Sequence, residues 1–141
     1  MNASLVEIET EEEQDALVKV AMDKKYDSYN IYGFWIGLTD QAEEGTMVWE
    51  SGGKVKFTAW SKWEPNNLFR SEDCVNLWVG WNRKGLWNDA NCDTGDFKFG
   101  PKSWKYGGIC EQSLGMICHL KHTEMQWGHV VQAGQKHHCT I

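Results

Sequence analysis

The 141-residue chain is acidic, with 20 Asp and Glu against 14 Lys and Arg and a formal net charge of −6. Because affinity for nucleic acid comes from clustered cations, this balance argues against a nucleic-acid partner. No run of about 18 apolar residues is present, so the sequence predicts no membrane span. Nine Trp, five Phe and four Tyr supply enough apolar bulk for one folded domain.

The first predicted elements are a strand and a helix. Residues 5–8 alternate and are rich in branched side chains, which favours a short strand. Thr10, with Glu13 three positions later, has the pattern of a capping box, so a helix is expected to begin at Glu11. Apolar residues on one face and a basic end predict that this helix runs over residues 11–25.

Two further strand signals follow in the first half of the chain. The apolar run at 34–38 predicts a buried strand. Residues 47–57 predict a hairpin, because two strand-like runs flank the turn sequence Ser51-Gly52-Gly53.

From residue 60 to 91 the composition changes to Trp, Asn, Asp, Glu and Gly, which is typical of a long functional loop. Strand-like patterning returns only at 74–77 and in the last predicted strand at 106–111. Residues 112–141 carry all five His and show weak patterning, which is compatible with a disordered tail.

The polar region concentrates oxygen-bearing side chains within 26 residues. Such oxygens are the ligands of Ca²⁺, which takes about six to eight of them. A bridge between Cys74 and Cys92 would join the two halves of the region and stabilise the fold by about 3 kcal/mol. Turn chemistry also favours Asn, Asp and Gly in loops, so composition alone leaves a calcium site undecided. The oxygen-bearing residues are Glu64, Asn66, Asn67, Glu72, Asp73, Asn88 and Asp89.

Five short motifs occur in a fixed order between residues 35 and 111, namely WIGL, EPN, EDCV, WNDANC and ICE. Together they resemble the C-type lectin domain over about residues 3–111. The resemblance implies an α+β fold with small antiparallel sheets, a flanking helix and a long calcium-binding loop region clamped by a Cys74–Cys92 disulfide. It also implies a carbohydrate-binding protein without catalytic residues, and therefore not an enzyme.

The resemblance assigns a set of ligands to one principal Ca²⁺, and the same side chains would bind two adjacent hydroxyls of a sugar. In the family the order Glu then Asn around Pro65 implies mannose-type glycans and a cis Glu64–Pro65 bond. The principal ligands carried to this chain are Glu64, Asn66, Glu72, Asn88 and Asp89.

A second, accessory calcium site is also implied. One of its positions, Asn67, departs from the usual Asp and removes one charge, so we expect that site to be weaker or empty. The accessory positions are Asp40, Glu44, Asn67 and Asp73.

Two other functions compete with sugar binding. A domain of this kind can instead bind a protein, a mineral or an ice surface. Glu72 and Asp89 could serve as paired acids in glycoside hydrolysis, but the same acids are needed as metal ligands.

The tryptophans near the polar region have different expected roles. Trp60 and Trp87 are expected in the core by resemblance. Trp63 and Trp81 could either contact a sugar or partner or be buried, as is usual for Trp.

The chain also departs from the family pattern. A strand and a helix that normally precede residue 5 are missing, together with the cysteine that pairs with the one in ICE. We therefore expect an N-terminally truncated domain over 1–111 and a tail over 112–141, with Cys110 free or bonded to Cys118 or Cys139. The stretch 93–106 is predicted to be an inserted loop.

The tail and the setting of the chain leave further expectations. Cysteines and histidines of the tail could bind zinc, although their spacing fits no familiar finger. The resemblance implies an extracellular, secreted protein, although no signal peptide begins this sequence. An oligomer is compatible with the sequence.

Overall fold

A computed structural model describes residues 4–22, 31–79, 85–92, 105–111 and 117–119, with backbone only for 31–32 and the last two segments. Within these segments there are one α-helix, a short 3₁₀ turn and strands that join into one sheet. No helix in these segments has the length and apolarity needed to cross a membrane. The elements are β1 (Ser4–Leu5), α1 (Glu11–Ala21), β2 (Ile31–Thr39), β3 (Val48–Trp49), the 3₁₀ helix (Leu68–Arg70), β4 (Cys74–Trp78), β5 (Leu86–Ala90), β6 (Lys105–Glu111) and β7 (Ile117–His119).

The strands are arranged in the order β1-β6-β2-β4-β5, while β3 pairs with β2 and β7 pairs with β6. Five of the six pairings are antiparallel, which confirms the predicted α+β class. The pairing of β2 with β6 is parallel. Parallel neighbours require a long crossover connection, and here that connection contains β3, β4, β5 and the polar loop.

The helix begins as the sequence predicts. The Thr10 hydroxyl accepts a hydrogen bond from the Glu13 amide, and the Glu13 carboxylate accepts one from the Thr10 amide, each at 3.2 Å. These two bonds satisfy amides that have no partner within a helix. The helix ends at Ala21 with Met22 as its C-cap, and the last predicted residues, 23–25, lie outside the described part of the chain.

Gln14 docks this helix on β5. Its side-chain amide donates to the Gly85 carbonyl and accepts from the Trp87 indole N–H at 2.8 Å. Gly85 has a φ of +74°, and a Cβ there would lie 2.1 Å from a methyl group of Val18. Only glycine therefore allows the helix to come this close to the strand.

The core is centred on Trp87, which is fully buried. The rings of Trp49, Phe57 and Trp60 meet it edge-on with centroids 5.7–6.0 Å away. Edge-to-face packing of this kind adds to the gain from burial. The expected core position of Trp87 is confirmed, and Trp60 packs against the same cluster while partly buried. The residues that follow Trp87 in β5 are thus held next to the buried core.

Three expectations about the strands need correction. The strand predicted at 5–8 is regular only over Ser4–Leu5, although the Val6 carbonyl still accepts from the Gly37 amide at 2.8 Å. The expected turn is present, with a Gly52 N–H to Trp49 carbonyl bond of 2.7 Å. Its second arm, 54–57, is not a strand, because β3 pairs with β2 instead. Residues 86–90, assigned to a loop, form β5 through pairing with β4.

Candidate functional site

The two halves of the polar region are held together by β4, β5 and a disulfide. The Cys74–Cys92 bond is present, with Cα atoms 5.1 Å apart. In the register of the two strands, Val75 faces Asp89 and Asn76 faces Asn88. The predicted clamp is therefore confirmed. It joins β4, which Glu72 and Asp73 precede, to β5, which carries Asn88 and Asp89.

The Asp89 carboxylate attaches the loop to the sheet. One oxygen accepts from the backbone N–H of Asn66 at 3.1 Å and the other from that of Asn67 at 2.7 Å. The side chain is only 1% exposed. Hydrogen bonds to an ionised acceptor are stronger than neutral ones. Asp89 therefore brings the EPN segment, more than 20 residues away in sequence, onto the edge of β5.

The EPN segment itself is compact. The Glu64–Pro65 bond is cis, as the resemblance implies. The side-chain amide of Asn66 donates to a Glu64 carboxylate oxygen at 2.5 Å. The carboxylate offers only acceptors, whereas the amide offers donors and an acceptor. The segment thus presents both kinds of group side by side at the surface.

Glu72 closes the loop from its other end. Its carboxylate accepts from the Leu68 amide at 2.7 Å, and its own amide donates to the Asn67 side-chain oxygen at 3.1 Å. Burial raises the pKa of Glu72 to about 7, against the lowering effect of the Leu68 hydrogen bond, and the Asp89 charge raises it further. Two like-charged carboxylates therefore lie close together in a partly desolvated place, where a cation would favour their ionised forms.

Two buried asparagines lie opposite each other on β4 and β5, and only Asn88 was predicted as a site residue. Asn88 is 8% exposed, and its side-chain amide donates to the Asp89 carbonyl at 2.5 Å. Opposite it, Asn76 is fully buried, and neither its amide nitrogen nor its oxygen has a hydrogen-bond partner. An Asn inside the apolar run of β4 was the available signal, and it pointed only to a strand.

The predicted ligands have the chemistry that Ca²⁺ prefers, but their side chains are not arranged as a complete coordination shell. All five predicted ligands offer oxygen, which suits a hard cation. Within the described segments no group of three or more His, Cys, Asp or Glu is arranged to hold a metal. Several of the oxygens instead accept hydrogen bonds from neighbouring amides. Binding an ion would exchange some of these bonds for coordination.

The accessory positions are only partly brought together. Asp40 is buried; one carboxylate oxygen accepts from the Gly45 amide at 2.9 Å and the other has no partner. Burial, and next the Asp40 charge, raise the pKa of Asp73. Asn67 uses its side-chain oxygen on the Glu72 amide, and Glu44 is exposed. An Asp40–Asp73 pair with a free oxygen therefore exists, while the four-residue site remains a prediction.

The loop around the site exposes large apolar side chains. Trp63 is 79% and Phe69 75% exposed, and both have positive φ, 75° and 60°. For a residue other than glycine such backbone costs about 1–2 kcal/mol. Trp63 is therefore exposed and not buried in the core, whereas Trp81 lies outside the described residues.

Comparison with known proteins agrees with this architecture. The family profile described as Lectin C-type domain matches residues 1–99. The chain is 38% identical over 88 residues to the alpha-N-acetylgalactosamine-specific lectin of Patiria pectinifera, covering 62% of this chain and 51% of that protein. It is 37% identical over 112 residues to the low affinity immunoglobulin epsilon Fc receptor of Mus musculus, covering 79% of this chain and 28% of the receptor. The matched part thus spans about half of the first relative and less than a third of the second.

Solved structures give the same answer. The C-type lectin CEL-I from Cucumaria echinata superposes with a TM-score of 0.55 at 30% identity, covering 63% of this chain and 60% of that one. The cow C-type carbohydrate-recognition domain of CD23, solved in the presence of a GlcNAc2Man3 oligosaccharide, gives 0.52 at 36% identity, covering 64% and 60%. The profile match, the relatives and the fold agree, and the chain belongs to the C-type lectin domain family.

Proposed function

We propose that this chain binds carbohydrate, of the mannose type, through a calcium ion held between the EPN segment and β5. The observation that carries the proposal is the buried Asp89 carboxylate, which accepts from the backbone N–H groups of Asn66 and Asn67 and so joins the EPN segment to β5, the strand that also carries Asn88. The Glu72 carboxylate is attached to the same loop, because it accepts from the Leu68 amide. The ligands of the ion would be Glu64, Asn66, Glu72, Asn88 and Asp89.

The side chains supply what a pair of neighbouring sugar hydroxyls needs. When bound, Ca²⁺ would accept one lone pair from each hydroxyl. The carboxylates of Glu64 and Glu72 would accept hydrogen bonds from the hydroxyls, and the N–H groups of Asn66 and Asn88 would donate to the remaining lone pairs. Each hydroxyl is then satisfied as a donor and as an acceptor, which is necessary when it leaves water.

Support for the sugar class comes from two sources. The order Glu64-Pro65-Asn66 implies mannose-type ligands by resemblance. One structural neighbour was solved with an oligosaccharide that contains mannose, although one relative is named for N-acetylgalactosamine. The alternative is a protein ligand, which the match to an immunoglobulin receptor favours. The Cys74–Cys92 disulfide supports an extracellular location, because disulfides persist in oxidising compartments. Such a location is compatible with either function.

The deciding experiment is calorimetric titration with Ca²⁺, followed by methyl α-mannoside. Wild-type protein should bind mannoside only after Ca²⁺ and release it on addition of a chelator. The double variant E64Q/N66D should shift its preference towards galactose. The matched control is Asp15→Asn, which removes an exposed acid on the helix away from the site and should change neither affinity. Mannoside binding that persists in chelator would refute the proposal.

A further inference from the structure

Trp63 occupies a backbone position that favours glycine. The Ser61 carbonyl accepts from the Glu64 amide at 3.0 Å, so residues 61–64 form a β-turn with Trp63 in third place. Its φ is 75°. Turns that require positive φ at this position take Gly or Asn, because a Cβ there crowds the backbone. A Trp is therefore an unfavourable choice for the turn alone.

Burial does not compensate for this strain. Trp63 is 79% exposed, whereas Trp49 and Trp87 are 1% and 0% exposed. Its ring is contacted by the Lys62 ammonium, 4.9 Å from the centroid, and the high exposure leaves the opposite face open to solvent. Strained residues persist in proteins mainly where function holds them. The gain from this side chain must then come from something it binds.

The backbone on both sides of Trp63 is hydrogen-bonded to β5, the strand of the proposed site. The Ser61 amide donates to the Trp87 carbonyl at 2.9 Å, which joins the start of the turn to β5. Its end is Glu64, and the following segment is held to β5 by Asp89. Trp63 is thus anchored on both sides to the strand that carries Asn88 and Asp89.

We propose that Trp63 is a second carbohydrate contact, stacking its open face on the C–H face of the sugar unit next to the one on the ion. The inference rests on the proposed function and extends it from a monosaccharide to an oligosaccharide. A sugar suits this place because it combines an apolar face with hydroxyls that can accept from Lys62. An apolar protein or lipid surface would instead have to desolvate Lys62 and Glu64.

The test compares Trp63→Gly and Trp63→Asn with wild type, both replacements being tolerated at positive φ. With Ca²⁺ present, affinity for an α-linked mannose trisaccharide should fall by about fivefold or more, which is about 1 kcal/mol. Affinity for methyl α-mannoside should stay within about twofold, well under that energy. The unfolding midpoint should remain or rise, because the turn loses its strain.

Leu86→Ala is the matched control, since it removes an exposed apolar side chain at the start of β5, three residues before Asp89, and should leave both affinities unchanged. An unchanged ratio of trisaccharide to monosaccharide affinity would overturn the Trp63 contact while sparing the ion site. A fall in the unfolding midpoint of both Trp63 variants would also overturn it, because the ring would then be structural. Wild-type protein that binds neither sugar would remove the proposed function itself.

Discussion

Replacing Asp89 by Asn in calcium-free protein should lower the free energy of unfolding by about 2 kcal/mol. The carboxylate is 1% exposed and accepts from two backbone amides, of Asn66 and Asn67. An Asn can accept from one of them but turns its own N–H₂ towards the other, which leaves a buried donor without an acceptor. Hydrogen bonds to a charged group are worth about 1.5–3 kcal/mol each, and a buried unsatisfied N–H costs about 1–3 kcal/mol. Relief of the repulsion from Glu72 offsets part of this loss.

The assay is guanidinium denaturation in the presence of a chelator, so that no metal contributes to stability. The control is Asn66→Ala, which removes an exposed hydrogen bond to Glu64 and should change the free energy by only about 0.5 kcal/mol. Under the proposed function both variants should lose calcium affinity. The free energy of unfolding therefore distinguishes Asp89→Asn from Asn66→Ala, whereas calcium binding does not. A denaturation midpoint of Asp89→Asn equal to wild type would show that this carboxylate does not join the loop to the sheet.

Three further predictions concern protons, cysteines and the helix. The Glu72 carboxyl, with its pKa raised from 4.5 to about 7, must lose its proton to bind Ca²⁺, so calcium affinity should fall by up to about tenfold per pH unit below 7. Without calcium the same shift makes the ionised form unfavourable in the fold, and stability should decline as the pH rises from 4.5 to 7; calorimetry and melting at several pH values test both trends. Cys110 and Cys118 face each other in the β6–β7 register, a separation compatible with a disulfide, so non-reducing peptide mapping should find them joined and not Cys110 with a free thiol. Gln14→Ala should lower the free energy of unfolding by about 2–3 kcal/mol, because the Trp87 indole N–H and the Gly85 carbonyl lose their shared partner; retention of wild-type stability would contradict this.

Local chemistry explains why much of the architecture is predictable from the sequence. The capping box at Thr10 and Glu13 depends on residues three apart, so it appears unchanged in the structure. The cysteines of EDCV and WNDANC likewise form the expected bridge. The second arm of the expected hairpin, 54–57, does not form a strand because β3 pairs with β2 instead. That pairing depends on a segment outside the hairpin.

The sequence by itself determined the family, the oxygen-rich chemistry of the predicted ligands and the helix start, because these depend on residue identity and short spacing. Only the tertiary structure decided that residues 86–90 become a strand, that Asp89 reaches the amides of Asn66 and Asn67, and that Trp63 stands exposed in a strained turn. Each of these outcomes rests on hydrogen bonds or packing between segments far apart along the chain, and no local pattern encodes which distant partner a backbone group will meet.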